Sequence, residues 1–267
     1  VTGPDWLAPT SLEEALEHKA QLGEEATVLA GGTFLGILMN QGFLQPQTLL
    51  SLGAIGGLDT ITRERDVLRL GPMVRHRAVE TSPLVHQHVP ALARAFGLVA
   101  SPRVRNQATV GGVLADADYA SDPPAMLTAL GATVTLASTR GTREVTLSDL
   151  IVGHYETCIA PDELLTEVRV PLGARAATYR KFRSRSAEDR PCVAVAAVRR
   201  DDGLRVVVGA VAEKPQEFPD ACDGSPGDIG AAYAQRIAPM SDARGSAAYR
   251  KRVIAVEVRR AVEEVTA

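Results

Sequence analysis

Two glycine-bearing segments hold residues whose types and spacing suit the capture of a phosphate. One is Ser101–Pro124, SPRVRNQATVGGVLADADYASDPP. Asn106 to Gly112 runs without a bulky side chain. Gly111 and Gly112 after Thr109-Val110 allow φ > 0 and close approach to the backbone N–H groups. With the Thr109 hydroxyl beside them, such a turn reads as an anion nest. Further on, Ser121 and Asp122 precede Pro123 and Pro124, and a carboxylate at that place suits sugar hydroxyls. Alone, T-V-G-G fits a plain turn between two strands better than a nest. The other segment lies upstream: a short apolar run, Ala26–Ala30, enters Gly31-Gly32-Thr33, and Phe34, Leu35, Ile37, Leu38 and Met39 follow at helical spacing. Strand, glycine turn and helix start in that order aim backbone N–H groups and the helix dipole at a pyrophosphate. No Lys follows these glycines as a P-loop requires, and no window supplies G-x-G-x-x-G, so either a third type of nucleotide cradle is present or none.

The chain around these segments has 267 residues, enough for one large domain or two ordinary ones. A net charge of −3 excludes the basic excess of a nucleic-acid binder, and 4% aromatics leave no base-stacking platform. Cys158, Cys192 and Cys222 stand far apart with no C-x-x-C, so no compact metal or iron–sulfur site is expected. Their odd number and wide spacing fit a reducing, cytoplasmic setting. The first residues show no charged-then-apolar leader, and no apolar run is long enough for a membrane span.

The positioning elements follow from pattern. Ser11 with Glu14 reads as a capping box opening a helix that Gly23 stops. Pro46–Ser51 and Val67–Gly71 read as strands, Ser82-Pro83 as a helix start, and Pro90–Ala100 as a helix. Ala125–Ala129 begins a short helix, Ala132–Ala137 is an alternating strand, Arg140–Val145 a hairpin tip, and Leu164–Val170 a strand closed by Pro171. Composition changes near residue 173. Beyond it, Cys192–Arg199 and Leu204–Ala212 form a hairpin through Asp201-Asp202-Gly203. Lys214–Gly230 reads as a loop, and Ala231–Ile237 and Ser246–Glu264 as amphipathic helices. In the last, Val253, Val256 and Ala261 face inward and the charges form a solvated face. His76, His86 and His88 read as surface residues.

In order along the chain, Ala30-Gly31-Gly32-Thr33 with Met39, Val104-Arg105-Asn106 with Ala108-Thr109-Val110-Gly111-Gly112, Ala120-Ser121-Asp122 with Pro124, Leu164–Pro171, and Ser241–Tyr249 resemble the FAD-binding medium subunit of molybdenum hydroxylases, the carbon monoxide dehydrogenase and xanthine dehydrogenase type. The resemblance implies an α+β fold of the vanillyl-alcohol-oxidase/PCMH type. Residues 1–173 would form two FAD-binding subdomains split near 50–55, and 174–267 a smaller domain of antiparallel sheet plus helices. It assigns the pyrophosphate to Val28, Leu29, Ala30, Gly31, Gly32, Thr33, Phe34 and Leu35, and completes the cradle with Thr109, Gly111, Gly112 and Val113. It adds Ala100, Ala115 and Asp116 to the wall. Ser121 and Asp122 match positions bonding FAD hydroxyls or phosphate, Leu165 a backbone contact near the flavin ring, and Lys181 a position at its polar edge. Read by itself, the Leu165 side chain is a core residue.

Three departures stand out. Val113 replaces a frequent Asn and Tyr119 a usual Pro. Arg190 falls where many relatives place an aromatic over the isoalloxazine, so that cover is either absent or supplied by the guanidinium. Tyr119 is either an added ring near the flavin or a surface turn residue. Asp116 and Asp118 would repel a pyrophosphate, so both are expected to face away from it or toward hydroxyls. No His lies in either glycine loop, which implies non-covalent FAD.

The implied function is an electron-transfer subunit, with no catalytic acid or base on this chain. It would pass electrons from 2Fe-2S clusters on a small partner chain to an external acceptor. The molybdenum cofactor would sit on a large molybdopterin-binding partner, and the assembly would be a dimer of heterotrimers. Two other readings stay open: a free-standing flavin-dependent oxidase or dehydrogenase, and a scaffold subunit without FAD.

Overall fold

A computed structural model describes residues 3–267. Three larger sheets and a two-stranded one, Ile151–Gly153 with Glu156–Thr157, carry the described residues. The N-terminal one is parallel: Thr48–Ser51 lies between Asp5–Leu7 and Ala26–Leu29. Parallel strands need crossovers, and the helix Leu12–Leu22 supplies the link between Asp5–Leu7 and Ala26–Leu29. Its N-cap differs from a full capping box. Ser11 Oγ accepts from Glu14 N–H at 3.2 Å, but Glu14 accepts from the Thr10 amide at 2.8 Å instead of from that of Ser11. Gly23, at φ 53°, ends this helix.

The second sheet is antiparallel, in the order Ile61–Glu64, Val67–Leu70, Leu164–Pro171, Thr133–Ser138, Gly141–Thr146. The expected hairpin tip at Arg140–Val145 is thus mostly an edge strand, turning at Thr139-Arg140. Its exposed Thr and charged residues suit a sheet edge, where charges block further pairing. The helices Pro90–Gly97 and Asp122–Ala129 pack together against this core.

The third sheet is antiparallel, in the order Ala176–Phe182, Val193–Arg200, Gly203–Gly209, Gln216–Glu217. Asp201 and Asp202 form its hairpin turn. Part of the expected loop Lys214–Gly230 is ordered as a strand and a helix start. The helix Pro226–Arg236 opens with a capping box between Ser225 and Asp228 and a proline in its first turn, signals that outweigh the Pro-Gly content. The last helix, Ala247–Thr266, covers this sheet. Its charges are not all solvated. Arg250 is fully buried and Glu257 nearly so, while Val256 is exposed. Arg180 Nε donates to Glu257 at 2.8 Å, which pairs the buried carboxylate with the sheet.

The largest apolar cluster joins both antiparallel sheets. Leu68, Val134 and Val168 share it with Tyr179, Ala196 and Val207. A polar contact also crosses between these regions. The Tyr119 hydroxyl donates to Asp242 Oδ2 at 2.7 Å and accepts from Arg244 Nη2 at 2.5 Å. Arg250 Nη2 donates to Asp242 Oδ1 at 2.6 Å. Burial alone would raise the Asp242 pKa, but the bonds from Tyr119 and Arg250 hold it well below the usual carboxylate range. Tyr119 thus sits half-buried in a turn with its hydroxyl held by Asp242 and Arg244. Tyr119→Phe is expected to lower stability by about 1–2 kcal/mol in denaturant unfolding, because charge-assisted bonds are lost, with flavin content unchanged. No helix among the described residues is long and apolar enough to cross a membrane.

Candidate functional site

The two glycine segments meet, and the contact is backbone on backbone. A Cβ at Gly31 would stand 2.2 Å from Gln107 O and 3.0 Å from Ala108 Cα. Only glycine permits this approach. Gly32 follows at φ 69°, in the left-handed region, and the chain then enters the helix Leu35–Asn40. The N–H groups of Gly31, Gly32, Thr33, Phe34 and Leu35 donate to no protein acceptor among the described residues. They form a row of free donors at the mouth of this turn.

The second segment works differently from the nest expected of it. Neither Gly111 nor Gly112 has positive φ. Val110–Ala115 is a helix with Thr109 as its N-cap. Gly111 N–H donates to Pro72 O at 2.8 Å and Gly112 N–H to Thr109 Oγ1 at 3.1 Å. Their amides are thus spent inside the protein, and the glycines serve close packing: a Cβ on Gly111 would lie 2.7 Å from Pro72 Cβ. The double change Gly111→Val with Gly112→Val is expected to push this helix off Pro72 and remove most bound flavin, read as the flavin-to-protein absorbance ratio.

Between the segments opens a cavity of about 560 Å³, within the range of roughly 300–1,000 Å³ common for cofactor sites. Every candidate residue named from the sequence lines it except Leu29, which packs under Gly32. Met73, Val99, Ile159, Leu164 and Leu165 give it apolar walls. Leu165 also belongs to the central core, as expected of its side chain. A register shift between Leu165 and Glu167 against Thr133–Ser138 bends the strand there, and bulges of this kind re-aim residues beside sites.

One end of the cavity holds a buried ion pair. Lys181 Nζ donates to Asp122 Oδ2 at 2.8 Å and to Leu98 O at 2.8 Å, and the Tyr179 hydroxyl donates to Asp122 Oδ1 at 2.7 Å. Asp122 opens the helix Asp122–Ala129, where a carboxylate also suits the helix dipole. Burial pushes the Asp122 pKa up and that of Lys181 down, and each charge partly restores the other. Two of the three ammonium donors of Lys181 are engaged by the protein, leaving one. Nearby, Arg190 Nη2 meets Asp118 Oδ2 at 2.7 Å, so Asp118 points at a guanidinium. Both Asp116 and Asp118, expected to face away from the pyrophosphate or toward hydroxyls, line the cavity.

His76, expected at the surface, is buried. Its Nε2–H donates to Thr109 O at 3.1 Å, and its amide donates to Ala108 O at 2.9 Å, so it braces the second glycine segment. Burial lowers its pKa to about 4 and keeps it neutral. His86, in contrast, is exposed on the helix Pro83–His88. Arg105 is another brace that lone sequence reading does not reveal. It is buried, pairs with Glu80 at 2.8 Å, and donates to Val99 O and Ala100 O at 2.8 and 2.9 Å. Ala100 at φ 39° is held in the left-handed region beside it. No local pattern signals either residue, because their partners lie in other elements.

Residues 2–173 match the model of the FAD binding domain in molybdopterin dehydrogenase. The chain belongs to this family. It is 34% identical to the nicotine 6-hydroxylase medium subunit of Paenarthrobacter nicotinovorans, over 98% of this chain and 97% of that one. It is 33% identical to the carbon monoxide dehydrogenase medium chain of Afipia carboxidovorans, over 98% and 96%. Among solved structures it superposes on a chain of carbon monoxide dehydrogenase from Hydrogenophaga pseudoflava with a TM-score of 0.93 at 30% identity, covering 99% and 97%. The α+β FAD-binding fold and membership in molybdenum hydroxylase-type oxidoreductases follow.

The residues present fit FAD. The free amides at Gly31–Leu35 suit a pyrophosphate, the hydroxyls of Thr33 and Ser121 suit its sugar chain, and the apolar walls suit flat rings.

Proposed function

We propose that this protein is the electron-transfer subunit of a molybdenum hydroxylase complex, moving electrons between iron–sulfur clusters on a small partner chain and an external acceptor. The observation that carries the reading is the cavity itself, with a free amide row at one place and the Lys181–Asp122 pair at another. Relatives named as medium subunits or chains of hydroxylases and dehydrogenases support it. In this reading Val28–Leu35 hold the pyrophosphate of a non-covalent FAD, while Ser121 and Asp122 orient its hydroxyls. Leu165 offers its backbone to the ring, and Lys181 its remaining N–H at the polar edge. Bound FAD supplies the electron exchange, and the protein supplies binding, orientation and electrostatics. The large partner would hold the molybdenum cofactor, with assembly as a dimer of heterotrimers in the cytoplasm.

An absorption spectrum of the chain alone, and again with whatever copurifies, tests this. Flavin bands released on denaturation, with an iron–sulfur background only when partner chains are present, are the expected result. A yellow chain active by itself would mean a free-standing flavoenzyme. A colourless chain that FAD does not reconstitute would mean a scaffold subunit.

A further inference from the structure

Two carboxylates line the cavity near one guanidinium, and only one of them pairs with it. Asp118 is buried and fully served: Arg190 Nη2 lies 2.7 Å from its Oδ2, and its Oδ1 accepts from the Ala120 amide at 3.0 Å. Asp116 stands two residues earlier, across Ala117, whose φ is 46°. Its half-buried carboxyl lines the cavity and makes no hydrogen bond or ion pair among the described residues. The charged groups acting on it are Asp118 from its own segment and Arg190 from the 183–191 loop. Glu188 of that loop lines the same cavity, and the Lys181 cation is already taken by Asp122. The only cation acting on Asp116 among the described residues is therefore Arg190, and that guanidinium is already paired with Asp118.

We propose that FAD binding is coupled to uptake of a proton by the Asp116 carboxyl, so that cofactor affinity weakens as pH rises. This rests on the FAD reading above. Burial already pushes the Asp116 pKa up to about 7, the Asp118 charge adds to the rise, and Arg190 opposes it. A pyrophosphate brings further negative charge into the same enclosed space, which disfavours an ionised Asp116 again. The sign follows by linkage. The bound state has the higher pKa, so affinity is full below the pKa of the free protein. It falls as pH rises, and it levels off above the pKa of the bound state. Within that window the loss is about tenfold per unit of separation between the two pKa values.

The test is a titration of the flavin-stripped protein with FAD from pH 6 to pH 9, read by flavin fluorescence. The wild-type dissociation constant is expected to rise about tenfold across this range, for a separation of one pKa unit. Asp116→Asn is expected to bind with the low-pH affinity throughout. A flat wild-type profile, or an equal slope in Asp116→Asn, overturns the proposal. Calorimetry of the wild type alone, in two buffers of different ionisation enthalpy at neutral pH, gives the same answer without a variant. Fractional proton uptake per FAD is expected, and none overturns it. Failure of the protein to bind FAD at any pH would instead remove the flavin reading on which it rests.

Discussion

Gly31→Ala is expected to abolish FAD retention, leaving less than about a tenth of the wild-type flavin content after gel filtration. The added Cβ would sit 2.2 Å from Gln107 O and 2.9 Å from its carbonyl carbon. Both are backbone atoms, held in place where the Gln107 and Ala108 amides donate to Val104 O at 2.9 and 2.8 Å. No rotamer change relieves the clash, so the two glycine segments must separate. Overpacking of this kind costs about 1–3 kcal/mol. The larger effect falls on binding, since the free amides of Gly31–Leu35 move relative to the opposite wall. Gly36→Ala is the matched control. It lies in the helix Leu35–Asn40, where an added methyl would have nothing within 4 Å and φ is not positive. Alanine there is expected to leave flavin content intact and to raise stability by about 0.5–1 kcal/mol, from helix propensity.

Lys181→Met is expected to destabilise the fold by about 3–5 kcal/mol near neutral pH, because it strands a buried carboxylate. Asp122 and Lys181 side chains are 4% and 1% exposed, so solvent does not screen the loss. Tyr179 still donates to Asp122, but a neutral phenol replaces no charge. In the variant, burial without the ammonium raises the Asp122 pKa further above its unfolded value. The folded state then binds the extra proton, so stability is greatest below the unfolded pKa and falls as pH rises through the folded one. Urea unfolding at pH 4 and pH 8 reads this slope. The double variant Asp122→Asn with Lys181→Met is expected to recover much of the loss, since an amide needs no counter-charge. Additive losses in that cycle would mean that the pair is not coupled. Flavin spectra of the refolded double variant would separate the stability role from any role of the remaining Lys181 donor.

The relation between these two sites shows what pattern reading reaches. The strand, glycine turn and helix of Ala26–Asn40, the Ser82 and Ser246 caps, and the Asp201-Asp202 hairpin all rest on neighbours within a few residues. Such contacts are written in local order, and they are legible there. The same local logic misleads at Gly111-Gly112. A glycine pair after Thr suggests an open nest, but the Pro72 carbonyl, which takes the Gly111 amide, lies far upstream in the chain.

From its sequence alone, then, the glycine turns and most local elements could be read, because glycine spacing and hydrophobic period reflect backbone geometry directly, while the family resemblance supplied the α+β class and a set of site residues of which all but Leu29 line the cavity. The tertiary structure decided what those residues do. It placed Gly31 against Gln107, buried His76 and Arg105 as braces, gave Tyr119 to Asp242 and Arg190 to Asp118, and left Asp116 without a partner among the described residues. Each of those outcomes depends on a side chain meeting a group from a distant element or on the solvent that burial removes. Neither the partner nor the burial has a local signature in the order of residues.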